Sequence, residues 1–140
     1  MMTPSRRWRW GAWAALAVAW AVALLVPVDA AAETIGPEAA FTIAKSLHAG
    51  VYAVLTLFGG TLPATRRGLW LVLALLSLHA MGGELGQWLT EEWFHRHGQW
   101  SDVALDHAGI AVGVAAGWHW WRRLVRGPVT CPRSGSSART

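Results

Sequence analysis

Charge is scarce in this sequence. Only 14 % of its 140 residues are Asp, Glu, Lys or Arg, where a soluble domain carries about 25 %. A chain with so little charge and a mean hydropathy of +0.30 cannot clothe a water-facing surface with polar groups. Cysteine is nearly absent: Cys131 stands alone in a polar tail, which excludes an internal disulfide. Local reaction motifs are missing too. There is no H-E-x-x-H, no Gly-rich phosphate loop and no nucleophile motif, so no cofactor is expected. The net charge of +4 comes from arginines at the ends of apolar segments, with no basic stripe along a polar helix, which argues against a nucleic-acid partner.

What the chain has instead is long apolar runs and 11 tryptophans, a residue that gathers where hydrocarbon meets lipid headgroups. A spanning helix needs about 20 apolar residues. Four segments approach that length, at about 8–28, 39–62, 69–89 and 101–121. The sequence therefore predicts an all-α membrane protein, a bundle of four transmembrane helices in one domain over residues 1–126. Residues 127–140, rich in Pro, Ser, Thr and Gly, read as a disordered tail. The first segment has a rival reading as a cleaved signal peptide, because Ala30-Ala31-Ala32 precedes Glu33 as an A-x-A type site. Ser5-Arg6-Arg7 is a weak twin-arginine pattern that the following residues do not complete.

Loop charges orient the spans. Arg6, Arg7 and Arg9 precede the first, Arg66 and Arg67 separate the second from the third, and Arg122, Arg123 and Arg126 follow the fourth. The positive-inside rule makes that side cytoplasmic, with both termini inside. The opposite side receives Asp29, Glu33, Glu38, Glu91 and Glu92, with Arg96 as its one loop arginine.

Groups that hydrocarbon rejects interrupt three of the four spans, and such residues are functional candidates with partners to be found. Lys45, His48 and Tyr52 share one face of the second helix; Glu84 and Gln87 share one face of the third; Asp102 and Asp106 head the fourth. At about 1.5 Å rise per residue, nearly all lie within roughly 10 Å of the outer interface. Below the two aspartates runs a small-residue stripe, Gly109, Gly113 and Gly117, expected to pack against another helix. Lys45 and Arg96 are the expected counter-charges, and the set reads as an outward-facing polar pocket. The bland alternative is a cluster that only staples helices, or polar residues that snorkel to water.

These residues carry a family resemblance. Glu84-x-x-Gln87, Arg96, Ser101-Asp102, Asp106, Gly109 and Gly113, preceded by Lys45-x-x-His48-x-x-x-Tyr52, resemble the pattern of the VanZ-like family of small bacterial membrane proteins over residues 45–113. Two positions depart from it: Asp106 stands where the family usually has Asn, and the link from Gln87 to Arg96 is longer and lacks a proline. The resemblance implies a multi-pass protein of the bacterial inner membrane. It implies contact with membrane lipids, with a lipid-linked cell-wall precursor or a glycopeptide as candidate partner, and a link to teicoplanin susceptibility. It implies no reaction. A membrane enzyme acting on a lipid-linked substrate and a proton or ion pathway are the competing classes.

The six histidines suggest no metal centre by local spacing. His95-x-His97 would need a strand to aim both rings one way, and His107 points about 100° from Asp106 on a helix. His119 reads as an interfacial residue, and His79 as a neutral, hydrogen-bonded core histidine.

Overall fold

The computed structural model describes residues 4–25, 33–63, 65–94 and 98–126. Among them the regular structure is entirely helical: α1 (Pro4–Leu24), α2 (Pro37–Gly59), α3 (Arg66–Leu89), the short α4 (Glu91–Phe94) and α5 (Trp100–Arg126), with one further helical turn at 33–35. The supposed cleavage site at Ala30–Ala32, the loop residue Asp29 and the tail 127–140 lie outside the described residues.

Local chemistry sets the helix ends. Gly36 adopts φ +87°, a left-handed conformation that favours glycine, and hands over to Pro37, whose fixed φ suits the first helical position. Glu38 in the first turn complements the positive end of the helix dipole. Thr65 caps α3, its Oγ1 accepting from the Gly68 backbone N–H at 3.1 Å. Thr90 closes α3, its hydroxyl and backbone N–H both donating to the Gly86 carbonyl. α5 runs to Arg126, five residues past the expected end of the fourth apolar segment, because nothing in Trp-Trp-Arg-Arg-Leu-Val-Arg breaks a helix.

Two helices, α2 and α3, are long and apolar enough to cross a membrane by length and composition. α1 has 21 residues and α5 has 27, also spanning lengths, but arginines fall in the first turns of α1, while Asp102, Asp106 and the terminal arginines interrupt α5. α1, α2, α3 and α5 pack side by side, with α2 against α5 the most extensive pairing. Their shared core holds Trp13, Tyr52, Leu55, Val72, Leu76, Ala80 and Ile110. The outward faces are apolar as well: Val18, Val22, Phe41, Leu47, Val54, Leu71, Leu78, Leu85 and Val112 are all exposed.

The glycine stripe divides. A Cβ on Gly109 would strike the carbonyl oxygen of Ala49 and come within 3.0 Å of its Cα, and one on Gly113 would meet Thr56 Cβ at 2.6 Å. These two glycines form the seam between α5 and α2. Gly117 belongs to something else: its neighbour is the Trp121 ring, one turn along its own helix, and the same ring covers Gly60 at the end of α2.

Basic groups collect at one end. Arg6 donates to the Leu62 carbonyl and Arg9 to Thr61 Oγ1, which ties the start of α1 to the turn after α2. Arg66 shares a surface recess with Trp118 and Trp121, near the end of α5. Lys45, Glu84 and Asp102 lie at the opposite end of the same helices.

Candidate functional site

At that opposite end three helices deliver five ionisable side chains to one place. α2 contributes Lys45 and His48, α3 contributes Glu84, and α5 contributes Asp102 and Asp106. The glycine seam makes this convergence possible. Gly109 lets the α5 backbone rest on Ala49, the neighbour of His48, so residues one turn towards the start of α5 come within reach of α2.

The pairing is specific. Lys45 Nζ forms an ion pair with Asp102 Oδ1 and donates to Gln99 Oε1 at 3.0 Å. His48 Nδ1–H donates to Asp106 Oδ1 at 2.8 Å, which fixes the ring orientation and leaves Nε2 facing Asp102 Oδ2 at 3.7 Å. Glu84 Oε2 accepts from the Gln99 backbone N–H at 2.7 Å. The Trp20 ring lies edge-on to His48 with centroids 5.7 Å apart, bringing α1 in as a fourth wall. His48 and Asp106 are 1 % and 0 % exposed, so the cluster is a desolvated core feature and its members cannot all snorkel to water.

Its hydrogen bonding is incomplete. His48 Nε2, Glu84 Oε1 and Asp106 Oδ2 are buried atoms without a hydrogen-bond partner among the described residues. Buried polar atoms are nearly always paired, and three of the seven buried side-chain atoms without a hydrogen-bond partner among the described residues fall in this cluster. No family model, no curated protein and no solved structure matches the chain.

Other expected pocket residues lie elsewhere. Gln87 is buried, and its Nε2 donates to the Leu24 carbonyl at 2.7 Å, closing the end of α1 onto α3. Tyr52 sits deeper, its hydroxyl donating to His79 Nδ1 at 2.7 Å while His79 Nε2–H donates to the Ala17 carbonyl at 3.0 Å. Since a carbonyl only accepts, that chain of bonds assigns His79 the Nε2–H tautomer, and the ring links α1, α2 and α3. His107 donates back to the Val103 carbonyl of its own helix and takes no part in the cluster. Arg96, His95 and His97 lie outside the described residues.

Gln99 is the participant that sequence reading missed. It touches Lys45 through its side chain and Glu84 through its backbone, and Gly98 beside it is packed so closely on the Glu84 carbonyl that a Cβ would not fit. The available signal was the Gly98-Gln99 dipeptide just before α5, a tight approach followed by an amide.

Beside the cluster a groove of about 340 Å³ opens between α3 and the segment entering α5, lined by Met81, Glu84, Leu85, Trp88, Gly98, Gln99 and Trp100. Glu84 and Gln99 belong to both groove and cluster, while Lys45, His48 and Asp102 lie behind them. The groove thus has a polar inner edge and apolar walls: Leu85 is 55 % exposed and Trp88 63 %.

Proposed function

We propose that this chain is a multi-pass membrane protein of the VanZ-like type that binds an amphiphile at its outward end. The polar head meets Glu84 and Gln99, and the apolar chain lies along Met81, Leu85 and Trp88. Several observations support the membrane setting. Two helices have spanning length and apolarity, and the outward faces of the helices are lined with exposed aliphatic side chains. Soluble monomers rarely expose contiguous apolar patches beyond a few hundred Å². The gathering of Arg6, Arg7, Arg9 and Arg66 at one end supports a cytoplasmic placement of that end and of both termini. The VanZ-like assignment rests on the spacing of residues 45–113, and the bacterial inner membrane, a cell-wall lipid precursor and teicoplanin susceptibility come with it.

The observation that carries the binding reading is the groove: one polar edge, apolar walls, and a volume within the range of about 300–1,000 Å³ typical of small-molecule sites. Native mass spectrometry of the protein in detergent, offered phosphatidylglycerol or a polyprenyl phosphate, tests it. The parent retains one of these lipids through gentle delipidation. Leu85→Trp and Met81→Trp fill the groove from exposed positions without disturbing the core, and each lowers lipid retention about tenfold, equivalent to ~1.4 kcal/mol. Equal retention by parent and both variants refutes the groove as the binding site.

A further inference from the structure

We propose that His48, Glu84 and Asp102 bind a first-row divalent metal ion such as Zn²⁺, with Asp106 orienting the histidine ligand. One ligand atom from each of the three lies within 4.8 Å of the other two, and all three residues are buried. Around a tetrahedral ion with bonds of about 2.1 Å, ligand atoms stand roughly 3.4 Å apart. His48 Nε2 and Asp102 Oδ2, at 3.7 Å, are already near that separation without forming a hydrogen bond.

Four features point to a cation there. The orphaned atoms are donors of electron pairs: His48 Nε2 and Glu84 Oε1 are buried, lack a hydrogen-bond partner among the described residues, and belong to residues of the ligand set. The ring is prepared for metal, because its Nδ1–H donates to Asp106 Oδ1 and leaves the Nε2 lone pair free, the carboxylate–histidine arrangement that supports metal-bound imidazoles. Asp102 can serve two partners, Oδ1 holding Lys45 and Oδ2 turned to His48. Finally, three buried carboxyl groups share the site with one ammonium, so a bound cation would offset negative charge in a desolvated place. One imidazole with two carboxylates is a nitrogen–oxygen donor set that suits Zn²⁺ or Mn²⁺. Three protein ligands leave a fourth position open. The ligands come from three separate helices, so no local spacing announces the site.

This site shares Glu84 with the amphiphile groove, but ion binding is measured without lipid, and failure of Leu85→Trp or Met81→Trp to lower lipid retention would leave it untouched. The experiment uses tag-free, full-length protein in detergent, stripped with EDTA and titrated with Zn²⁺ by calorimetry. The parent takes up one equivalent. His48→Gln and Asp102→Asn, checked for folding by size exclusion, weaken uptake at least about tenfold, and Asp106→Asn weakens it about 10–100-fold, as loss of a carboxylate behind a metal-bound histidine does. A His95→Gln/His97→Gln variant binds as the parent does. No saturable uptake by the parent, or parent-like uptake by folded His48→Gln and Asp102→Asn, overturns the proposal. X-ray absorption at the zinc edge of the loaded parent decides the matter without variants. One imidazole among oxygens supports the site, whereas two or more imidazoles, none, or a sulfur ligand places the ion elsewhere and refutes it.

Discussion

Replacing Gly109 with alanine tests whether close backbone approach between α5 and α2 is what assembles the ion cluster. The added Cβ would collide with the Ala49 carbonyl oxygen and lie 2.9 Å from its carbonyl carbon and 3.0 Å from its Cα. All three atoms are backbone, so no rotamer change relieves the overlap and the helices must part. Overpacking of this kind costs about 1–3 kcal/mol, and a backbone obstacle belongs in the upper half of that range. Helix propensity returns up to about 1 kcal/mol for Gly to Ala, leaving a net loss of about 1–2 kcal/mol. Gly82→Ala and Gly86→Ala are the matched controls: nothing lies within 4 Å of a Cβ at either position, so they keep the propensity gain alone. Unfolding in mixed detergent with increasing SDS should therefore separate Gly109→Ala from Gly82→Ala by about 2–3 kcal/mol. Because Asp106 stands one turn before Gly109, the same displacement weakens the His48–Asp106 bond, and Gly109→Ala should also weaken Zn²⁺ uptake. A Gly109→Ala protein as stable as Gly82→Ala would refute the seam.

Gln87→Ala removes the bond that closes α1 onto α3 and leaves the Leu24 carbonyl without that donor; it should cost about 1–3 kcal/mol in the same unfolding assay while leaving lipid retention and metal uptake near parental values once the protein is folded. Loss of either binding activity in folded Gln87→Ala would return Gln87 to the site. Reporter fusions check the orientation: a phosphatase active only outside the membrane should be inactive after Thr140 and active when inserted between Glu92 and Trp93, and the reverse pattern would turn the polar cluster towards the cytoplasm.

Much of the helix plan was readable one segment at a time. Apolar runs bounded by Pro37 and by Pro63-Ala64-Thr65 locate α2 and α3 closely, because helix starts and stops are local events set by Pro, Gly and capping hydroxyls. Same-face spacing also grouped Lys45 with His48 and Asp102 with Asp106, since helical periodicity follows from chain geometry alone. Periodicity gives a face without an address, however. Glu84 and Gln87 share a face of α3, yet Glu84 reaches Gln99 and the cluster whereas Gln87 reaches the end of α1. Tyr52 continues the face of His48 but is one turn deeper, and there it meets His79. The stripe of Gly109, Gly113 and Gly117 is uniform as a pattern and divided in space, because Trp121 claims the last position.

The sequence by itself determined composition, helix periodicity and the segregation of arginines into alternate linkers, for each of these depends on residues near one another along the chain. Only the tertiary structure decided which polar atoms meet. It gave Asp106 to His48 and Asp102 to Lys45, brought in Gln99, and left His48 Nε2 and Glu84 Oε1 without hydrogen-bond partners among the described residues. Those outcomes depend on the depth and rotation of one helix against another, and these are set by contacts such as Gly109 on Ala49 between residues 60 positions apart.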